Sequence, residues 1–307
     1  MSLEEYKPMM ERCSNCLNCK WSPFDKIRGQ RFGENCPSVC YFNFNTYAAR
    51  GRFQLALALI NKEFTYTDKI VEVIHHCTTC GSCDINCKIC RYNLEPLEHN
   101  LELKARAVQD GKVLPQQMPI IENLKKEKTM IVGKLKNNRS NWAKGLKVKD
   151  LAKEKAEVAF FPGCKYSYDE NLQAVARSAT ELLLNAGVDL GIMGAADNCC
   201  AGRAYQMGFR EEFNERAEAN IRAFKIAGVK TIVTPCSDCY HTFKRLYARK
   251  GMKVEVLHMV EYLDLLISKN KIKFMKTIPM TVTYHDPCHL GRLGEPYIPW
   301  DGKEKKI

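Results

Sequence analysis

Beyond residue 155 the hydrophobic positions of the chain switch between two periods, and the switching predicts alternating strands and helices. "EVAFFPGC" (157–164) is an apolar and aromatic run ending in a Pro-Gly turn, the pattern of a buried strand. Ser167, with Glu170 three residues on, predicts a capping box. Leu172, Val175, Ala176, Ala179, Leu182 and Leu183 then recur at helical spacing until Gly187 stops them. Phe213, Ala217, Ile221 and Phe224 form one face of a second helix. "VKTIVTPC", with Gly228 ahead of it, and "MKVEVLHM" predict two more strands, the latter feeding an amphipathic helix through "VEYLDLLISKN". Strand and helix in alternation predict a layered α/β domain with a mostly parallel sheet. The front of the chain reads differently. Its longest apolar stretch, "FQLALALI", sits in a helical segment, "TYAARGRFQLALALINKEF". No run approaches the roughly 18 apolar residues of a membrane-spanning helix, so no transmembrane segment is expected.

The length, 307 residues, suits about two domains. Net charge is +12, and +8 of it lies between Gly111 and Ala156, where twelve Lys or Arg meet four Asp or Glu. This stretch reads as a solvated basic linker or as a docking surface for an acidic partner. A nucleic-acid partner is not expected, because aromatic interleaving and a known module are missing.

Composition changes the picture through its sixteen cysteines. The start, "MSLEEYKPMMERCSNC", is charged and has no apolar core segment. The expectation is therefore a cytoplasmic protein with reduced thiols, able to sit at the inner face of a membrane through a partner. Metal then explains the cysteines better than disulfides do. They fall into three groups: Cys13, Cys16, Cys19, Cys36 and Cys40; Cys77, Cys80, Cys83, Cys87 and Cys90; and Cys164, Cys199, Cys200, Cys236, Cys239 and Cys288.

"CTTCGSCDINC" has the spacing C-x2-C-x2-C-x3-C at Cys77, Cys80, Cys83 and Cys87. That ferredoxin-like spacing wraps three thiolates around one cubane and sends the fourth to a neighbouring cluster. "CSNCLNC" repeats the triplet at Cys13, Cys16 and Cys19, with its fourth member displaced to Cys36, followed by Pro37. One [4Fe–4S] cluster is accordingly expected on Cys13, Cys16, Cys19 and Cys87, the other on Cys77, Cys80, Cys83 and Cys36. Small residues at Gly81 and Ser82 let the backbone close on the inorganic core. A zinc site would need two C-x2-C pairs rather than triplets. Cys87 is followed by Lys88 where proline is usual. Cys40 and Cys90 are surplus, expected as buried thiols unless one replaces its neighbour. His75 and His76 read as packing or surface residues.

The third group runs C-x34-C-C-x35-C-x2-C from Cys164 to Cys239. By itself Cys236-x2-Cys239 fits a thioredoxin-like motif or half a zinc site equally well. Cys164 follows one predicted strand and Cys236 another, and ligands at the carboxyl ends of parallel strands converge on a crevice. Gly163 and Gly202 are expected to give the backbone close approach there. "EVAFFPGCKY" (157–166) also aligns with "TVTYHDPCHL" (281–290), an internal repeat at a period of 124 residues.

The five-cysteine spacing resembles the cysteine-rich (CCG) domain of heterodisulfide reductase catalytic subunits and their relatives, among them iron–sulfur subunits of anaerobic dehydrogenases. "CPSVCYFNFNTYAARGR", "LKARAVQDG" and "NNRSNWAKGL" look like the linking segments of that family. The resemblance implies an α/β fold with a helical ferredoxin-like module at 1–110, a basic linker at 111–155, a CCG domain at 156–280 and a second, truncated CCG repeat at 281–307. It further implies a noncubane [4Fe–4S] cluster on Cys164, Cys199, Cys200, Cys236 and Cys239 as the redox centre, beside the two cubanes. It also predicts a second CC pair after Cys288, which is missing here. His241, His285 and His289 are expected as structural histidines, with His285 or His289 a candidate proton donor.

Two functions follow from the resemblance. In one, electrons from the two cubanes reach the noncubane site and cleave or form a disulfide. In the other, the chain only relays electrons between a flavin- or molybdenum/tungsten-type dehydrogenase and a quinone or ferredoxin; in either, a flavoprotein, dehydrogenase or membrane cytochrome is the expected partner subunit. A zinc-stabilised nucleic-acid binder is disfavoured by the cysteine spacing.

Overall fold

The computed structural model describes residues 2–22, 29, 33–89 and 94–298. These form two compact units. The first comprises 2–115 with 206–209 and 295–298, the second 116–205 with 210–294. No helix among the described residues is long and apolar enough to cross a membrane.

The first unit is built on α1 (Lys7–Glu11), α2 (Pro37–Phe42), α3 (Ala49–Ile60), α4 (Asp68–His75), α5 (Ser82–Ile89) and α6 (Pro96–Gln109). Proline opens α1, α2 and α6, where its missing N–H costs nothing. Thr67 caps α4 by accepting from the Ile70 N–H. Phe53 and Ala56 of α3, Ile74 of α4, and Leu103 and Ala107 of α6 make the core. The helical stretch expected between the first two cysteine groups is α3.

From residue 116 the chain carries α7 (Met118–Glu127), β1 (Lys149–Asp150), β2 (Val158–Phe160), α8 (Gly163–Tyr168), α9 (Glu170–Asn185), β3 (Leu190–Ile192), α10 (Gly202–Met207), α11 (Arg210–Ile226), β4 (Thr231–Thr234), α12 (Ser237–His241), β5 (Glu255–His258) and α13 (Met259–Ser268). The five strands are all parallel, in the order β1-β3-β2-β4-β5. Val158 of β2 pairs with Leu190 on one side and Thr231 on the other. The chain steps from β2 out to β3, then returns past β2 to β4, so its direction reverses at the β2–β4 boundary. Val158, Phe160, Leu190, Ile192 and Val233 of the sheet pack on Ala176 and Leu183 of α9 and on Met259 and Leu266 of α13. The fold class is α/β with a parallel sheet.

Several details differ from the sequence pattern. The cap of α9 is Asp169, not Ser167. Asp169 has extended backbone between two helices, and its carboxylate accepts from the Asn171 and Leu172 N–H groups. Ser167 is already inside α8 and donates to the Gly163 carbonyl at 2.9 Å. Strands β1 and β3 have only two and three residues, too few for a periodicity to register. Residues 116–155, expected as linker, fall in the second unit, held there by buried Ile121, Leu124 and Trp142. Residues 281–286, aligned with β2, carry no regular secondary structure. Val282 and Tyr284 are 79% and 72% exposed, and among the described residues no strand pairs with theirs. A β2-like run becomes a strand only between neighbours such as β3 and β4.

Candidate functional site

In the first unit, two pockets are lined by cysteines. Cys13, Cys16, Cys19 and Cys87 line one, of about 400 Å³ including its open mouth, backed by Ala49, Phe53, Leu94 and Pro96. Cys36, Cys77, Cys80 and Cys83 line the other, of about 340 Å³, with Cys19 at its edge. The local geometry has identifiable causes. Asn15 and Leu17 take positive φ and curl the 13–19 loop inward, as Thr79 and Gly81 do for 77–83. Cys36 is the N-cap of α2. Cys83 and Cys87 lie one turn apart on α5, so one helix serves both pockets. Gly81 and Ser82 line the second pocket, as their small size suggests.

Burial raises the pKa of Cys19 to about 11 and pushes Cys36, Cys83 and Cys87 upward too. Cys77 goes the other way. Burial alone would raise it, but the charges of Arg52 and Lys104 and the hydrogen bonds of Thr79 and Asn100 bring it below the ordinary thiol range. Arg52 is 1% exposed and Lys104 3% exposed. The Lys104 Nζ donates to the Cys77 carbonyl at 2.6 Å. Neither cation stood out in the sequence, since each is one basic residue on an amphipathic helix. Cys40 is exposed rather than buried, because it faces outward on the six-residue α2. Cys90 lies outside the described residues. His75 is buried against the Lys112 carbonyl and His76 bonds the Glu72 carbonyl, both structural contacts.

The second unit gathers five cysteines at the carboxyl ends of three adjacent strands. Cys164 follows β2 on the first turn of α8, Cys199 and Cys200 lie between β3 and α10, and Cys236 follows β4 as the N-cap of α12. Cys239 is on α12 itself, with its Sγ 3.5 Å from that of Cys200. Cys164 and Cys236 thus flank the β2–β4 reversal, where parallel sheets open a crevice. The thiols are linked in a chain, Cys164 to Cys199, Cys200, Cys239 and Cys236. Hydrogen bonds from Cys199 and Cys239 hold Cys200 below the ordinary thiol range, while the contacts with Cys200 and Cys236, together with burial, push Cys239 up. Cys164, through Cys199 and burial, is also raised.

Backbone and charge complete this site. Gly163 has φ of +78°, and a Cβ there would lie 2.8 Å from the Cys239 Sγ. The Gly202 backbone hydrogen-bonds to the Cys200 thiol, and a Cβ there would also run into the Thr242 hydroxyl. Arg139, 1% exposed, reaches the Cys164 Sγ at 3.2 Å and pairs with buried Asp197 at 3.0 Å. It comes from the stretch expected as linker, where it is one of twelve basic residues and nothing in the pattern singles it out. The buried Tyr247 hydroxyl donates to the Cys200 carbonyl at 3.0 Å. His289 is buried and meets Asp238 at 3.1 Å, and its ring lies 5.3 Å from that of His241. His241 bonds the Leu293 carbonyl, and burial lowers its pKa to about 4. His285 is exposed. Cys288 is half-buried and free.

The thiols of each set face a shared space rather than a point. Among the described residues no three His, Cys, Asp or Glu side chains are grouped as a single-ion site. The donor chemistry fits an anionic iron–sulfur group. Thiols line all three sites, and one Nη of Arg52, buried at the second pocket, has no hydrogen-bond partner of its own. Beside the five-thiol set stand buried Arg139 and a glycine whose missing side chain leaves room at the sulfurs.

Residues 158–244 match the cysteine-rich domain family CCG. The chain is 28% identical over 295 residues to a subunit of the dihydromethanophenazine:CoB–CoM heterodisulfide reductase of Methanosarcina mazei, covering 92% of this chain and 69% of that one. It is 30% identical over 262 residues to the probable iron–sulfur-binding oxidoreductase FadF of Bacillus subtilis, covering 82% and 37%. It is 28% identical over 229 residues to the EtfAB:quinone oxidoreductase of Syntrophomonas wolfei, covering 72% and 31%. No solved structure gives a significant match. The chain carries a CCG domain and is homologous to this heterodisulfide reductase component and to related iron–sulfur oxidoreductases.

Proposed function

We propose that this homologue of a heterodisulfide reductase component is an iron–sulfur electron-transfer subunit of an oxidoreductase complex that carries out thiol/disulfide redox. In this reading Cys13, Cys16, Cys19 and Cys87 hold one [4Fe–4S] cubane, and Cys36, Cys77, Cys80 and Cys83 hold another. Cys164, Cys199, Cys200, Cys236 and Cys239 hold a noncubane cluster. Bound there, the clusters supply one-electron transfer, which the disulfide couple needs twice, together with two protons per disulfide.

The observation that carries the reading is the convergence of all five cysteines on the carboxyl ends of β3, β2 and β4. The chain's own residues have separable tasks. Gly163 leaves room at the Cys236 and Cys239 sulfurs. Arg139 balances negative charge at Cys164 and is itself held by Asp197. Ile131, Lys134, Lys165, Tyr168 and Asp169 line an open pocket of about 360 Å³ that Cys164 also lines. That solvent route to one member of the set favours chemistry at this site over a relay alone. Electrons come from another redox protein of the complex, a flavoprotein, dehydrogenase or membrane cytochrome, which also brings the chain to the membrane surface.

The test is anaerobic purification followed by iron and labile-sulfide analysis and EPR. About twelve irons per chain, as three clusters of four, are expected. A thiol substrate added to oxidised protein should produce a new paramagnetic signal, and Cys200→Ser should abolish it. Stoichiometric zinc with no labile sulfide would overturn the proposal.

A further inference from the structure

The two pockets of the first unit offer the same donors, four thiols each, but different charge. Around Cys36, Cys77, Cys80 and Cys83 stand two buried cations. Arg52 of α3 spends its Nε on the Val73 carbonyl, at 2.9 Å, and Nη1 on the Tyr47 carbonyl. Its Nη2 is buried without a partner, and the residue lines the pocket. Lys104 of α6 is held at the Cys77 carbonyl. The Asn100 amide also points a donor at the Cys77 Sγ, 3.8 Å away. Around Cys13, Cys16, Cys19 and Cys87 the one cation among the described residues lining the pocket is half-buried Arg50, and the other described walls are largely apolar.

We infer that Arg52 and Lys104 fix the order of reduction in this unit, so that the cluster on Cys36, Cys77, Cys80 and Cys83 accepts an electron before the cluster on Cys13, Cys16, Cys19 and Cys87. The inference rests on the proposed iron–sulfur reading. Adding an electron to an anionic cluster deepens its negative charge, and a nearby fixed cation stabilises the reduced form most. Cluster potentials follow local charge, hydrogen bonds to sulfur and solvent exposure. Two buried cations act through a medium far less polarisable than water and are little screened by salt. Solvent at exposed Cys16 acts in the opposite direction, but it is a diffuse response against two localised charges. Asp84 follows Cys83 in sequence, its carboxylate lies 3.9 Å from the Cys83 Sγ, and it opposes the two cations at the second pocket. Its Oδ1 also accepts from the Leu97 N–H at 2.7 Å, so a single hydrogen-bonded carboxylate stands against two buried cations. Charge within the unit therefore runs downhill from the first pocket to the second.

The test is an EPR-monitored redox titration of the full chain with its clusters, for the wild type, Arg52→Gln, Arg52→Lys and Lys104→Met. Cys16→Ser identifies the step that belongs to the first pocket. The wild type should show the second-pocket step at the higher potential. Arg52→Gln should lower that step alone by about tenfold in its one-electron equilibrium, which is about 59 mV. Lys104→Met should lower it too, and Arg52→Lys should hold it near the wild-type value. The inference fails if Cys16→Ser alters the higher step, or if both steps shift together in Arg52→Gln. Should Arg52→Gln fail to load, Lys104→Met decides by the same criterion. Absence of iron and labile sulfide in the wild type would instead overturn the iron–sulfur reading itself.

Discussion

The two units collect thiols by opposite means. In the first, each pocket is built from a short loop, 13–19 or 77–83, that folds back on itself and is completed by one cysteine from elsewhere in the chain, Cys87 or Cys36. In the second, no two donors except the Cys199–Cys200 and Cys236–Cys239 pairs are close in sequence, and the parallel sheet brings them together. Exposure follows the same division. The eight cysteines lining the first unit's pockets are half-buried or, for Cys16, exposed, whereas in the second set Cys199, Cys200 and Cys239 are buried and only Cys164 and Cys236 are half-buried. A loop can wrap a cluster at the surface of a small helical unit. A set assembled from strand ends sits where the sheet is deepest, so the second site stands or falls with its domain.

The strongest break in the comparison is the loss of a donor. Cys200→Ser should remove about four of about twelve irons and the third cluster's EPR signal, leaving the other two signals intact. Loss of all three would mean that the units do not load separately. Next comes Arg139→Ala, which strands Asp197 as a buried charge. It should destabilise the second unit by about 3–5 kcal/mol in denaturant titrations, and Arg139→Met with Asp197→Asn should recover most of that. Gly163→Ala forces a side chain into positive φ and against the Cys239 sulfur, which should cost about 1–3 kcal/mol and lower iron content at the second unit only.

Smaller effects sharpen the contrast. In the first unit His99 is fully buried with its ring edge-on to Phe53, and burial depresses its pKa to about 3. Its folded pKa lies below the unfolded value of about 6.5, so its contribution is intact above that pH and is lost as pH falls toward about 3. Acid titration of stability should thus weaken the first unit progressively below about pH 6.5, and His99→Leu should flatten that slope. Smallest is Asp169→Ala, which removes the cap of α9 and should cost about 1 kcal/mol without changing iron content.

Much of the second unit was legible because long elements carry long periodicities. Helices α9, α11 and α13 and strands β2, β4 and β5 follow the apolar pattern. Strands β1 and β3 escaped it, and the α9 cap fell to a neighbour two residues away. The cation roles were not legible at all. Arg139 lies in a stretch that reads as a solvated linker, nothing in the pattern singles out Arg52 or Lys104, and only burial against thiols gives the three their work. Gly163 and Gly202 were both anticipated as points of close backbone approach, and Gly202 also packs against Thr242.

Cysteine spacing by itself determined which thiols are candidates, and apolar periodicity determined the alternation of strand and helix. Both are local properties of a chain, set by side-chain reach and by the repeat of the backbone. Tertiary structure decided which thiols meet, through strand order in the sheet, and which charges face them, through burial. Contact and burial depend on residues distant in sequence, so a one-dimensional pattern carries no record of them. Electrostatic energy follows from that environment, because a cation's effect on a buried anion is governed by the water removed from between them.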